Sequence, residues 1–275
     1  MIAAWLTGVA VWGPGLPGWA ASRAVLAGQA PYLPADTPPP APDILSSTER
    51  RRTGVSVRLA LAVAQQAMAM CGEPPGSIAP GSIASVFGSA NGDGAVVNSI
   101  LVALTGPERV VSPTQFHNSV HNAAAGYWTI ATGSHLAATS LGCHDSTFAA
   151  ALLKAATQLR VEQAPVLLVL YDATLPEPLL GGRPPGAPFA AALVLSPQPS
   201  PRALARIGVA FHPAPPAPDR ETPLLEGLRD LAKTNPAARS LRLLEQLARG
   251  QPATLSARLL DARIDIELQP CPIQT

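Results

Sequence analysis

The sequence predicts an α/β fold, and two observations carry that reading. Apolar runs of strand length, residues 4–12, 83–87, 165–171, 189–195 and 205–211, alternate with segments whose apolar residues fall at helical spacing. The run at 165–171 (PVLLVLY) is continuously apolar, the pattern of a strand buried on both faces and therefore covered by helices on both sides. With 275 residues, 47% of them hydrophobic, the chain can bury a sizeable core.

The elements follow in order. Residues 4–12 are read as the first strand rather than a secretory signal. The run lacks a positively charged start, and Gly13, Pro14, Gly15 and Pro17 interrupt it. Residues 19–27 predict a short helix, and the proline-rich stretch 31–42 (PYLPADTPPPAP) excludes regular structure. Ser46 or Ser47 with Glu49 signals a helix start. An apolar stripe of Val57, Leu59, Leu61, Ala64 and Met68 continues from there, so residues 46–68 read as one long helix. Beyond the strand at 83–87, Asn91-Gly92-Asp93-Gly94 is a turn without enough oxygen ligands in series for calcium. Residues 95–104 form a helix ending at Gly106-Pro107. Past residue 212 the composition shifts: 213–218 is a linker, 224–232 and 238–248 are short helices, and 253–268 reads as a closing strand.

Composition narrows the functions. A net charge of +1 argues against nucleic acid as the main partner. No apolar run reaches the ~20 residues of a membrane-spanning helix. Cys71, Cys143 and Cys271 form neither a C-x-x-C pair nor an even disulfide set, which fits a cytoplasmic protein. Charged residues make up only 13% of the chain; so few charges leave apolar surface uncovered and favour a stable protein partner.

Residues 112–160 organise the rest. A helix rich in small residues, 120–132, carries Asn122, Ala125 and Gly126 and reads as buried. The segment Leu136, Ala137, Ala138, Thr139, Ser140, Leu141 forms a short strand, and Gly142-Cys143 a tight turn. A helix follows, with Asp145 and Ser146 as candidate N-caps. Cys143 therefore sits at a strand-to-helix turn near the positive end of a helix, a placement that activates thiols.

This arrangement resembles the nucleophile elbow of the thiolase-like ketosynthases. Asn122, Ala125 and Gly126 match that family's Asn-x-x-Ala-Gly helix, and Cys143 followed by Ala149 fits its nucleophile pattern. Residues 46–68 and 82–94 resemble its first long helix and the strand and turn after it. The resemblance spans about residues 1–200. It is closest to the short chain-length-factor-like subunits of aryl polyene pathways, which carry only the amino-terminal domain. It implies a thiolase-like layered fold, a mixed sheet with helices on both faces, truncated relative to a full ketosynthase. Residues 1–212 would be the ketosynthase-like domain, and 213–275 a linker and extension packing on the same core. No cofactor is implied. The implied partners are an active ketosynthase subunit, or a second copy of the chain, and an acyl carrier protein.

The chemistry divides along the same line. Cys143 has two readings, a vestigial nucleophile or the acyl-accepting group of a minimal condensing enzyme or acyltransferase. Asp145 opposes its ionisation. None of the five histidines, His117, His121, His135, His144 and His212, stands in the His-Gly-Thr-Gly or Gly-His-x-x-Gly settings that the resemblance calls for. His117 and His121 have metal-ligand spacing, but Asn118 stands where a His-Glu-x-x-His motif needs its glutamate, and no third ligand is evident, so a structural role is favoured. His212 reads as a surface residue in a loop. Arg50, Arg51 and Arg52 form the one dense basic run. It is placed at a helix start where the dipole disfavours it, and it is read as a solvated face or a docking site for a carrier protein or partner, with Arg58 extending it. No Gly-x-Ser-x-Gly nucleophile is present. The resemblance also places the strand before the elbow at a two-fold axis, so Leu136 to Leu141 is the expected interface edge.

Overall fold

The computed structural model describes residues 1–272 apart from 73, 75, 182–185 and 215–223. The amino-terminal run is a strand, β1 (Ile2–Trp12), followed by α1 (Trp19–Leu26). Two helices, α2 (Ser47–Arg52) and α3 (Val55–Ala69), replace the single helix expected over 46–68. The break has a cause in packing. Thr53 is extended, and a Cβ on Gly54 would lie 1.9 Å from Asp93 Oδ2, so the chain here runs hard against the turn before the next helix. The capping box is present: Ser46 Oγ accepts from Glu49 N, and Glu49 Oε2 from Ser46 N.

Then come β2 (Ala84–Gly88), α4 (Gly94–Thr105), α5 (Pro113–Asn118), α6 (Ala123–Thr132), β3 (Ala138–Leu141), α7 (Thr147–Glu162) and β4 (Val166–Asp172). After these the chain forms β5 (Phe189–Ser196), β6 (Ala205–His212), α8 (Glu226–Thr234), α9 (Leu241–Arg249), β7 (Ala253–Leu259) and β8 (Ala262–Pro270). The closing strand expected over 253–268 is thus a hairpin. Its turn at Leu260, with φ 54°, contains no glycine or asparagine to announce it.

Among the described residues eight strands form one mixed sheet in the order β3-β2-β4-β5-β1-β6-β8-β7. β3, β2 and β4 are parallel, and every further pairing is antiparallel. β4 is buried at every position, as its apolar run requires, because helices cover both faces. One face carries α1, α7, α8 and α9. Phe148, Leu152 and Leu159 of α7 pack with Leu228, Leu244 and the carboxy-terminal Ile264, Ile266 and Leu268. The other carries α3 and α6, with Leu59, Val63 and Met68 against Phe87, Trp128 and Val169. The elements after residue 223 therefore extend the sheet and its core. The linker at 213–218 lies largely outside the described residues.

At the opposite edge, among the described residues, β3 pairs only with β2. Its partner helix α6 is buried along Ala124, Ala125 and Trp128 alone, so the small-residue helix expected to be buried starts at 123 and is covered on one face only. Gly126 has open space beside it, and Ile130 is exposed. α4 goes further: its sequence GAVVNSILVALT is apolar almost all round, yet Gly94 is its one buried residue, and Leu101, Val102 and Leu104 face solvent. A helix apolar on every side is ordinarily an interior helix.

Candidate functional site at the strand ends

The carboxyl ends of the parallel strands converge, the place where open α/β sheets usually put their chemistry. Gly88 of β2 pairs with Leu141 of β3, and Asp172 ends β4 on the other side. Ser89 joins them. Its N–H donates to the Leu141 carbonyl (3.1 Å) and its hydroxyl to Asp172 Oδ1 (2.8 Å), while its Oγ accepts from Gly92 N (2.9 Å). His121 donates Nε2–H to the Ser89 carbonyl at 2.9 Å. Gly142 fits into this crowd because it has no side chain: a Cβ there would lie 2.8 Å from the Ser89 oxygen and 3.2 Å from His121 Nε2.

Cys143 follows, half-buried, at the strand-to-helix turn where it was expected. The turn is tighter than a plain helix start. A 3-10 turn over residues 144–146 separates Cys143 from α7, so the cysteine stands a full turn before the helix proper. Thr147 clasps it: its Oγ1 accepts from Cys143 N (3.0 Å) and donates to the His144 carbonyl (2.7 Å), which holds His144 at φ 49°. Neither candidate N-cap acts as one. Ser146 Oγ accepts instead from Leu260 N of the carboxy-terminal hairpin (3.0 Å), and Asp145 Oδ2 lies 3.2 Å from Arg239 Nη2. Gly88 lets α7 approach: a Cβ there would meet Ala151 Cβ at 2.9 Å.

The thiol itself makes no hydrogen bond to a described residue. His121 is engaged with Ser89. His117 lies on α5, edge-on to Tyr127 with ring centroids 6.0 Å apart. The 117/121 pair thus lies on α5 and in the turn after it rather than on one helix face. His212 ends β6 rather than lying in a loop, its Nε2 3.1 Å from Asp265 Oδ2. His144 Nδ1 faces Asp145 Oδ2 at 3.7 Å. Asn122, expected within a buried helix, is exposed at the start of α6 and makes no capping bond.

Arg50, Arg51 and Arg52 occupy the last turn of α2, where the dipole favours them, so the break at Thr53 reverses the electrostatics expected from a helix start. Arg51 and Arg52 are exposed, and Arg50 Nη1 lies 3.8 Å from Asp43.

A polar knot behind the elbow was not read from the sequence. Asp172 is fully buried, and its Oδ1 takes the Ser89 hydroxyl and Asn91 N–H (2.9 Å) and its Oδ2 the Ala237 N–H (3.2 Å). Asn235 donates to the Asp172 and Ala187 carbonyls (3.0 and 2.8 Å) and accepts from Ala237 and Ala238. The one signal in the sequence was an acid directly closing a doubly buried strand.

With this geometry in view, the comparisons are consistent. Residues 26–222 match the family model for the beta-ketoacyl synthase, N-terminal domain. The chain belongs to that family. Its fold is shared with solved ketosynthase structures. A ketosynthase, ApeO, in complex with its chain length factor, ApeC, from Xenorhabdus doucetiae superposes with a TM-score of 0.71 at 20% identity, over 97% of this chain and 100% of that one. The ishigamide ketosynthase/chain length factor gives 0.74 at 15%, over 99% and 100%. A beta-ketoacyl synthase from Burkholderia phymatum gives 0.69 at 12%, again over 99% and 100%. Among curated protein sequences none matches the chain. The thiolase-like fold is therefore established, and no helix of the described residues is long and apolar enough to cross a membrane.

Asp172 gives a pH test. Burial pushes its pKa up to about 6, against the donors from Asn91, Ser89, Ala237 and Ala90, which lower it. A raised carboxyl pKa means that its stabilising contribution is complete below the unfolded value near 4 and is lost as pH rises through about 6. The difference amounts to about 3 kcal/mol. Urea unfolding of the wild-type chain between pH 4 and 7 should show that fall. Asp172→Asn should lack it and be less stable by about 1–3 kcal/mol at pH 5, because its amide must turn a donor towards a donor.

Proposed function

We propose that the chain is a non-catalytic, chain-length-factor-like subunit that pairs with an active beta-ketoacyl-carrier-protein synthase in the cytoplasm. There it shapes the tunnel for a growing acyl or polyene chain, as the sequence resemblance to the short subunits of aryl polyene pathways implies. The observation that carries this is the uncovered edge: among the described residues β3 pairs only with β2, and α4, a second element, leaves its apolar residues facing solvent. An open strand edge is a template for pairing, and natural proteins cover such edges or blunt them with charge. Leu136, Ala137, Ala138, Thr139, Ser140 and Leu141 offer no lysine, proline or acid for that purpose. In the complex with its synthase the strand pairs across the interface, and α4 becomes the interior helix its composition describes. The named neighbours that are themselves ketosynthase/chain length factor complexes support this pairing.

The non-catalytic half rests on the elbow. Condensation leaves negative charge on a thioester oxygen, which positioned donors must stabilise. Among the described residues no donor is hydrogen-bonded to the Cys143 thiol, and His121 is committed to a backbone carbonyl. The rival reading, Cys143 as acyl acceptor, draws on its half-exposed place at the strand ends.

Three measurements test these statements. Ala138→Lys or Thr139→Asp should split the complex with the synthase, leaving an aggregation-prone subunit by light scattering; variants that stay soluble and associated overturn the edge model. In a reconstituted chain-extension assay Cys143→Ala should retain most product, whereas a loss of about a hundredfold with assembly intact, some 2.7 kcal/mol, assigns catalysis to the thiol. Changing Arg50, Arg51 and Arg52 to Glu should weaken carrier-protein or partner binding, more so at low salt because exposed charges are screened; unchanged affinity returns the run to a solvated face.

A further inference from the structure

On the face of the sheet away from α3 and α6, the carboxy-terminal elements enclose a cavity of about 420 Å³ against the start of α7. That volume lies within the range of small-molecule sites, about 300–1,000 Å³. Its walls are of two kinds. Phe148, Ala149, Ala232 and Ala257 give an apolar lining from α7, α8 and β7. Arg229, Lys233, Arg239, Arg242 and Arg258 bring five cations from α8, the turn before α9, α9 itself and β7. Those are five of the chain's 19 lysines and arginines, in a protein whose net charge is only +1. Asp145 is the single carboxylate in the lining, and it is engaged by Arg239 at 3.2 Å.

Three of the other cations, Arg229, Lys233 and Arg258, are not absorbed by the fold in the same way. Arg229 has no carboxylate partner among the described residues. Arg258 donates its Nε to the Leu260 carbonyl, which leaves the rest of its fork available. Lys233 meets Asp230 at 3.7 Å, with both side chains largely in water, a contact worth little. Like charges gathered round one concavity repel each other, and a bound anion relieves that repulsion. Arginine forks reaching in from separate elements suit the several oxygens of a phosphate, which accept from more than one direction. A carboxylate, with one charge and two oxygens, would satisfy fewer of them. The apolar lining requires a body as well as a headgroup.

We propose that this cavity binds an organic phosphate: a phosphate monoester with a small aromatic or aliphatic body, its phosphate among Arg229, Lys233 and Arg258 and its body against Phe148. Asp145 of the elbow lines the cavity, but neither Cys143 nor a histidine does, and the cavity lies across the sheet from α6. The proposal therefore stands or falls separately from the subunit pairing.

Phenyl phosphate is the probe, with inorganic phosphate and phenol as its halves. Calorimetric titration of the full chain, or of its complex where the two purify together, should show saturable binding of phenyl phosphate, with each half binding at least about tenfold more weakly. Arg229→Gln/Lys233→Gln should lose about tenfold or more in affinity. Arg160→Gln/Arg202→Gln removes the same charge from exposed positions elsewhere and should change it by less than about twofold. Ala257→Leu, which adds bulk to the lining and changes no charge, should weaken phenyl phosphate but not inorganic phosphate. Thermal melts establish that each variant folds. The proposal is overturned if phenyl phosphate binds more weakly than about 1 mM, if the two double variants weaken it equally, or if phenol binds as well as its phosphate ester.

Discussion

The carboxylate of Asp172 fixes the relation between the two parts of this molecule. β4 is buried on both faces, so the group ending it has no water to turn to and must find donors in the protein. It finds them in segments far apart in the chain, Ser89 and Asn91 from the turn after β2 and Ala237 from the segment leading into α9. Asn235 completes the tie from below through the Asp172 and Ala187 carbonyls. The strand ends that present Gly142 and Cys143 are thereby clamped to the carboxy-terminal elements. The clamp is a buried charge whose desolvation opposes its own ionisation, so the tie is specific in geometry and sensitive to pH.

The elbow inherits its shape from that clamp. Gly142 is pressed against the Ser89 carbonyl, and Thr147 clasps Cys143 and His144. Leu260 and Arg239 hold Ser146 and Asp145 from the carboxy-terminal side. None of these contacts reaches the sulfur. The turn also packs: it carries α7 across Gly88 and seats Phe148 and Leu152 in the core. The backbone around Cys143 is thus closely determined, while no described residue hydrogen-bonds its thiol.

What the sequence disclosed and withheld follows from range. Continuous apolar runs such as 165–171 announce strands because burial on both faces leaves no polar position, and Ser46 with Glu49 announces a helix start because the capping box is local. The break at Thr53-Gly54 was hidden because helical periodicity runs through it; its cause is Asp93, some forty residues away. The hairpin at Leu260 was hidden because a leucine takes the positive φ that a glycine would have signalled. Cys143 was legible as a turn residue, but His121 was not legible as the partner of a backbone carbonyl. The Asp172 knot and the cationic cavity draw on residues that only the fold brings together.

Charge distribution links the two faces of the molecule. With only 13% charged residues, the chain cannot cover its whole surface with them. Five cations gather round one cavity, while α4 carries no charge at all and β3 none along its edge. Scattered single apolar residues on a surface need no explanation, but a whole apolar helix facing solvent and a strand with one edge unpaired among the described residues do. Leu101, Val102 and Leu104 would each recover on the order of 1 kcal/mol or more on burial, since each is about half exposed or more. The open edge contributes direction: backbone groups along β3 can pair only with a strand laid beside it. Area alone would attract any apolar surface. The strand restricts the partner to one that presents a matching edge, which is what a second chain of the same fold provides.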